Sequence, residues 1–497
     1  MKKQLTVFLI ALFVLGVSFA IVPKKANAIP AFAQKYHFSC AVCHTVFPNL
    51  NPFGRAFWRN GFRLPGTNGT PADATQITKG LSLPNPWPVP IMIEANIAYL
   101  HQGNEGIATP GFVDNGSTGQ TDGFNDKLGI VAGGAFKIYS PLSNSISFYV
   151  HTGATNGNAI KNNQVWASLN GLGSGFGIAP HLLNLKMGII TTASPYFYRQ
   201  MMDWNSVGPV GNGQDLNIGY DGEAGTLIHA QNPGIELYGT PGYHLWYKVT
   251  MTNDAGSAGS FINNNPNLNT SGITLANNDA ALSNDTTSNA MEYSYQLKEY
   301  YPVPVGQLEF GYYGATIAEP IQTTASAKTV GSWTDRVTVN GIDVDLANDI
   351  YELGATWMEQ NDSNPYGPSN ENVNTFNGLT GNNTINNTSN GYSDFEVYGR
   401  YLFPQVGDGL MVYADYATYS WAHKDAQEAF DRTLNSSYPN NDDLYQVGSY
   451  NGNDGVKDAL YLMAEYNLAY NAHLYAGYDF TNHTQDNTLQ TGLFFAF

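Results

Sequence analysis

The chain of 497 residues has only two cysteines, and only 12% of its side chains are charged. Two cysteines cannot form the disulfide framework of a small secreted domain. Basic residues are also scarce, because 22 Lys and Arg stand against 40 Asp and Glu for a net charge of −18. Nucleic-acid binding depends on a basic footprint, so this balance argues against a nucleic-acid partner.

Long apolar runs are equally scarce, and the one that could span a membrane as a helix lies at the N-terminus. Residues 6–22 (TVFLIALFVLGVSFAIV) follow Lys2 and Lys3 and precede Ala26-Asn27-Ala28. This order predicts a secretory signal peptide over residues 1–28. A short transmembrane anchor is the alternative, but the small-x-small cleavage site favours removal. We therefore expect the mature chain to be exported.

The two cysteines form the motif Cys40-Ala-Val-Cys43, and His44 follows at once. A redox dithiol is expected in a βαβ context, which is not visible, and a zinc site needs a second ligand pair, which is absent. A disulfide between Cys40 and Cys43 in an oxidising compartment is the simplest alternative. The motif C-x-x-C-H is that of covalent haem c attachment, with the histidine as proximal iron ligand. We predict a haem c on Cys40, Cys43 and His44.

From residue 89 to residue 497, segments alternate between apolar and polar residues with period two, which predicts β-strands. In the first segment Ile91, Ile93 and Ile97 share one face, and Met92 and Glu94 share the other. We count about sixteen such segments. Their lengths, their tyrosines and their polar inner face predict an all-β transmembrane barrel of antiparallel strands. A soluble β-sandwich or propeller is the alternative.

Other features fit this organisation. The chain ends in an amphipathic strand with an aromatic residue, Phe497, and several Asn- and Ser-rich stretches, such as 253–289, read as long loops. Residues 65–88 are rich in Pro, Gly and Thr, which predicts a linker. The stretch Gly171–Gly177 lacks the lysine of a phosphate loop, so we interpret it as a hairpin turn.

The haem-binding segment, residues 29–64, is too short to fold as a free-standing cytochrome. The barrel must therefore enclose the haem, and we expect the segment to plug the lumen. Segment 29–64 has no Met, so the distal ligand is expected from the barrel. Strict alternation places Met92, His151 and His244 on the lumen face, and Met92 is our preferred distal ligand. Packing against the plug is the alternative role of Met92.

The segment Ile29–Leu64 carries a resemblance to a known family. It contains Ile29-Pro30, Phe32-Ala33, the Cys40–His44 motif, Pro48, Leu50, Phe53-Gly54-Arg55, Phe57, Gly61 and Phe62. This pattern, followed by a barrel, resembles the outer-membrane monohaem cytochrome–porin fusions of iron-oxidising bacteria. The resemblance implies oxidation of extracellular Fe(II), as in a ferrous iron:cytochrome c oxidoreductase, with electron transfer to a periplasmic cytochrome. It also implies an outer-membrane, lipid-embedded location.

Two other functions remain open on the sequence. One is a solute porin with a structural haem plug, and the other is an outer-membrane cytochrome that takes electrons from another donor or a partner protein. A solute porin predicts ion conductance without iron-linked haem reduction. The acidic pairs Asp343 with Asp345 and Asp442 with Asp443 could attract cations, but we interpret them as solvated loop charges.

Overall fold

The computed structural model describes 22 stretches or single positions of the chain. They are Phe32, Tyr36, 38–46, 49–64, 75–78, 81–83, Val89, 91–102, 111–112, 122–138, Ser140, 142–155, 161–193, 231–253, 273–275, 291–325, 328–363, 390–407, 409–421, 458–469, 471–481 and 488–496. The predicted signal peptide, Phe497, Asp442 with Asp443, and most of the predicted long loops lie outside them.

Sixteen long strands close into an antiparallel barrel, as predicted. The strands are β1 Met92–Gln102, β2 Asp122–Lys137, β3 Ser145–Thr155, β4 Lys161–Asn170, β5 Asn184–Thr191, β6 Gln231–Gly239, β7 Leu245–Asn253, β8 Met291–Val303, β9 Gly306–Ala325, β10 Lys328–Ala347, β11 Tyr351–Asp362, β12 Asn390–Phe403, β13 Leu410–Trp421, β14 Asp458–Ala469, β15 Ala472–Thr481 and β16 Thr488–Ala496. Strand β16 pairs with β1, with Leu493 opposite Ile97, and this pairing leaves the sheet without an edge.

The remaining elements are short. A 3₁₀ turn at Cys40–Val42 precedes a small antiparallel pair, His44–Val46 with Asn49–Leu50, and helix α1 spans Pro52–Arg59. The described part of the predicted linker is not wholly irregular, because Thr75–Thr78 pairs with Leu81–Leu83. Two further short strands, Gly111–Phe112 and Ile273–Leu275, pair with β2 and β9, and 3₁₀ turns lie at Ser174–Phe176 and Pro241–Tyr243. No helix within the described stretches is long and apolar enough to cross a membrane.

The two faces of the wall differ as the alternation predicted. On β1, Ile93 and Ile97 are exposed on the outside, whereas Glu94 and Asn96 are buried in the lumen. The same pattern recurs around the barrel, because one face of each antiparallel strand is apolar and the other polar. Large apolar side chains exposed on the outside include Leu128, Met187, Leu237, Val249, Phe310, Ile342, Leu353 and Phe395. The wall is therefore apolar outside and polar inside.

Short turns join the strands at one rim, which we call the short-turn rim. Examples are residues 304–305 and 348–350, and the predicted turn at Gly171–Gly177 joins β4 to β5 at the same rim. Strand β1 begins and β16 ends there, because the number of long strands is even and neighbours are antiparallel. The segment before β1 thus approaches the lumen from the short-turn rim.

Candidate functional site

The cysteine motif forms one tight turn. The amide of Cys43 donates to the carbonyl of Cys40 at 3.1 Å, and His44 begins the short strand opposite Leu50. Both thiols are half-buried, and they are not joined in a disulfide. Burial raises the pKa of Cys40, and burial followed by the charge of Cys40 raises the pKa of Cys43 to about 11. The two thiols and the imidazole are thus presented by five consecutive residues.

Asn51 joins this turn to helix α1. Its side-chain oxygen accepts from the amide of Gly54 at 2.9 Å, which is the usual role of an N-cap asparagine. Its side-chain amide donates to the carbonyls of Ala41 at 3.3 Å and Val42 at 3.1 Å, while its own backbone amide donates to Cys43 at 2.9 Å. One residue therefore starts the helix and holds the carbonyls of the cysteine turn.

Gly54 allows the turn and the helix to pack this closely. A Cβ at position 54 would lie 2.1 Å from the carbonyl oxygen of Cys43 and 2.9 Å from the Leu50 side chain. Any larger residue would push the cysteine turn away from α1. The glycine is therefore required by close approach.

One face of α1 carries arginines that are buried against carboxylates of the lumen wall. Arg55 Nη1 lies 3.0 Å from Asp345 on β10, and its Nη2 lies 2.5 Å from Glu352 on β11. Arg59 Nη2 lies 2.8 Å from Glu309 on β9. Burial acts to lower the pKa of Arg55, but Glu352, Asp345 and Glu309 together raise that pKa well above its ordinary value. The guanidinium is therefore a permanent cation that holds α1 to strands β9–β11.

Arg400 on β12 extends this contact to the cysteine turn. It forms an ion pair with Glu352 and donates to the carbonyl of Leu50 at 3.4 Å. In the turn between β10 and β11, Asp349 accepts from the side chain of Asn51 at 3.1 Å. The residues that flank the cysteine motif are thus bound to the wall as well as to α1.

The opposite face of the plug is aromatic. Trp58 packs against Tyr149 with ring centroids 4.9 Å apart, and Phe62 stacks on Trp166 at 5.5 Å. Phe57 is also buried in this cluster. The cluster is completed by Val131, Ala135, Ile190, Phe32, Tyr36, Leu64 and Met92. It joins the plug to strands β1–β5, which lie across the lumen from the carboxylates of β9–β11.

The chain leaves α1 through two residues with left-handed backbone, Gly61 at φ 64° and Phe62 at φ 59°. A bulky residue in this region costs on the order of 1–3 kcal/mol. The Phe62 side chain is only 1% exposed, and its burial against Trp166 offsets this cost. Arg63 then donates to Asn184 Oδ1 at 2.9 Å and to the carbonyl of Pro180 at 3.1 Å. These bonds fix the end of the plug to the β4–β5 connection.

The three candidate distal ligands, Met92, His151 and His244, differ in burial and in contacts. Met92 lies on the lumen side of β1, half-buried and packed against the aromatic cluster. Packing on the plug therefore accounts for this apolar residue, and its role as a haem ligand stays a prediction. His151 is buried, with Nε2 2.9 Å from Glu94 Oε1. His244 is exposed in the turn before β7, and its lumen-facing placement and its role as a haem ligand stay a prediction.

The interpretation of Asp343 and Asp345 as solvated loop charges was wrong. Both lie on the lumen face of β10, where Asp343 is paired with Lys298 and Asp345 with Arg55. The role of the arginines was not predicted. A signal was available, because Arg55 and Arg59 are four residues apart in a chain with few basic residues. Four-residue spacing places side chains on one side of a helix.

The donor set fits a haem c. Thioether attachment requires two free thiols on one turn, and here Cys40 and Cys43 are separated by two residues and are not joined in a disulfide. Proximal ligation requires an imidazole, which His44 supplies directly after the second cysteine. Within the described stretches, no group of three or more His, Cys, Asp or Glu side chains is arranged to hold an ion.

No protein-family model matches the chain, and no curated protein matches it. Among solved structures, the chain is similar to OmpF of Salmonella typhi in complex with daunomycin, with TM-score 0.45, 12% identity, and 85% of this chain and 100% of that chain covered. It is similar to OmpT of Vibrio cholerae lacking loop L8, with TM-score 0.44, 12% identity and 82% and 98% covered. A mutant of Rh. blastica porin gives TM-score 0.40, 10% identity and 82% and 99% covered. Similarity at this level carries no functional inference.

Proposed function

We propose that this protein is an outer-membrane c-type cytochrome that oxidises extracellular Fe(II) and passes the electron, through a haem held in a plugged β-barrel, to a periplasmic cytochrome. The observation that carries the proposal is the mounting of the Cys40–His44 turn. The turn is bonded to α1 through Asn51, and α1 is fixed inside the lumen by Arg55 and Arg59. A disulfide loop would need no such mounting.

The outer surface of the barrel supports the membrane location. Met187, Leu353 and Ile97 are 54%, 56% and 49% exposed on the outside of a closed wall with a polar lumen. Apolar area of this extent around a sheet without edges suits lipid, because a closed sheet pairs the backbone groups of neighbouring strands all round the wall. The short-turn rim would then face the periplasm, where the haem segment enters.

Cys40 and Cys43 would hold the haem through thioether bonds, and His44 would be its proximal ligand. The haem, when bound, supplies a one-electron couple. The chain's own residues keep the attachment turn in place: Asn51 bonds its carbonyls, and Gly54 lets α1 pack against it. Met92 is the proposed distal ligand.

The plug also bears on how the electron crosses. Its arginine face contacts β9–β11 and its aromatic face contacts β1–β5, so α1 and the residues after it reach both sides of the lumen. A wide barrel without such a segment leaves an aqueous channel. A fixed plug keeps the redox group at a constant position, and it hinders free exchange of iron species between the two sides.

A solute porin with a structural haem plug is the second candidate. The sixteen-stranded wall and its polar lumen favour it, because barrels of this size serve as channels. The two functions differ in conductance. The electron carrier should show low single-channel conductance in planar bilayers, whereas the porin should conduct with the plug in place.

The direct experiment is stopped-flow absorbance of the purified, air-oxidised protein in detergent after anaerobic addition of Fe(II). Rapid appearance of the reduced c-type spectrum supports the proposal. If dithionite reduces the haem and Fe(II) does not at acidic or neutral pH, the iron-oxidising function is refuted. Met92→Leu, compared with Met187→Leu on the outer wall, tests the ligand. Only the first should lower the reduction potential if Met92 binds the iron.

A further inference from the structure

Three polar side chains are buried in the lumen wall on β14 and β15, and several of their polar atoms lack a hydrogen-bond partner. Strand β14 is two strands away from β12, which carries Arg400. The three side chains are Glu465 and Asn467 on β14 and His473 on β15, with exposures of 0%, 5% and 0%. Both carboxylate oxygens of Glu465, both ring nitrogens of His473 and the side-chain oxygen of Asn467 have no hydrogen-bond partner. Buried polar groups in native proteins are nearly always bonded to other protein groups, to ordered water or to an ion, so these atoms are available to a ligand.

The three side chains converge by strand register. Asn467 is directly opposite His473, and Glu465 lies two residues further along the same lumen face. His473 Nδ1 is 3.2 Å from Glu465 Oε1. Phe494 of β16 stacks on the imidazole at 4.8 Å and 12°, and buried Met411 of β13 lies opposite Glu465. Apolar side chains thus lie on both sides of the group, and the charge of Arg400 on β12 also acts on Glu465.

A shared proton satisfies this arrangement only in part. One hydrogen bond between Nδ1 and Oε1 leaves the second oxygen of Glu465, Nε2 of His473 and the oxygen of Asn467 without partners. Each unsatisfied buried polar group costs about 1–3 kcal/mol, and more if it is charged. A cation at the centre instead engages an imidazole nitrogen, a carboxylate oxygen and an amide oxygen together.

We propose that Glu465, Asn467 and His473 bind one divalent transition-metal ion. Imidazole together with carboxylate and carbonyl oxygen is a donor set for borderline ions such as Zn²⁺ or Mn²⁺. The site is separate from the haem turn and does not depend on the proposed electron transfer. It joins β14 to β15 in the last hairpins before the barrel closes on β1. Because metal binding is coupled to folding, the ion stabilises that seam.

The test uses the full-length haem-loaded protein in detergent, with Zn²⁺ as the probe. Zinc is supplied by equilibrium dialysis at its lowest saturating concentration, and bound zinc is counted per protein by mass spectrometry. Wild type should hold about one equivalent more than His473→Gln, since loss of one of three ligands removes tight binding. His151→Gln is the matched control, because His151 is also a buried lumen histidine beside a glutamate. It should bind as much zinc as wild type.

Glu465→Gln is the second variant, and it should lose the same equivalent. Migration of unheated samples on SDS gels verifies that each variant is a folded barrel. Equal zinc binding by wild type and both variants overturns the proposal. A protonated-carboxyl infrared band that disappears in Glu465→Gln, with unchanged zinc binding, also overturns it in favour of a shared proton. Loss of zinc in the two site variants alone supports it.

Discussion

Replacing Arg55 by methionine should release the plug helix from the barrel. Arg55 is 0% exposed and contacts the carboxylates of Asp345 and Glu352, with Glu309 at 3.8 Å. Methionine keeps much of the side-chain volume and removes the charge. Removing one partner of a buried ion pair costs about 3–5 kcal/mol, because the remaining charges lose their compensation. At about 1.4 kcal/mol per factor of ten, the population of the released plug should rise roughly 100- to 4,000-fold.

Hydrogen–deuterium exchange measures this population. The amides of residues 53–59 should exchange faster in Arg55→Met by about that factor, whereas amides of β9–β11 should change little, because the sheet bonds remain. Arg336→Met is the matched control, since Arg336 is exposed and lies far along β10 from Asp345. It should leave exchange in α1 unchanged.

If exchange in α1 is the same in wild type and Arg55→Met, the ion pairs do not hold the plug. A triple variant that adds Asp345→Asn and Glu352→Gln should recover part of the lost protection, because the stranded carboxylates are then neutral. Faster exchange in the triple variant than in Arg55→Met would contradict the electrostatic explanation.

Three further predictions concern the cysteine turn. Asn51→Ser keeps an N-cap oxygen but loses the amide donors to Ala41, Val42 and Asp349, so it should reduce covalent haem content less than Asn51→Ala, which loses both; an equal reduction would show that the N-cap bond does not contribute. Gly54→Ala should lower haem content and speed α1 exchange, because its Cβ would meet the Cys43 carbonyl at 2.1 Å; unchanged exchange would contradict the close packing. In protein made without haem, alkylation of Cys43 should rise with pH through about 11 in the folded state, because burial disfavours the thiolate. The rise should lie near 8.5 in urea, and identical profiles would refute the burial of Cys43.

The strands of the barrel wall could be predicted from the sequence, because the alternation of apolar and polar residues is a local pattern. Alternation with period two sets which side chains face the lumen, and one face of every strand had to be polar once the barrel closed. The placement of Glu94 inside and Ile97 outside follows from position in the strand alone. The rule does not extend to His244, which precedes the first residue of β7.

The plug contacts could not be predicted in this way. Arg55 and Asp345 are separated by 290 residues, and their pairing depends on how α1 enters the lumen. Alternation correctly indicates that Asp345 faces inward if it lies in a strand, but it gives no partner. A buried carboxylate and a solvated one look identical in sequence, because burial depends on what fills the lumen.

The sequence by itself determined the strand alternation, the closed-barrel class and the grouping of Cys40, Cys43 and His44, because each depends on residues within one strand or one turn. Only the tertiary structure decided that arginines hold the plug to β9–β11, that aromatics hold it to β1–β5, and that Glu465, Asn467 and His473 share one buried site. These features arise when segments distant in the chain are brought together and water is excluded between them. A linear pattern of residues carries neither the distance nor the burial that such contacts require.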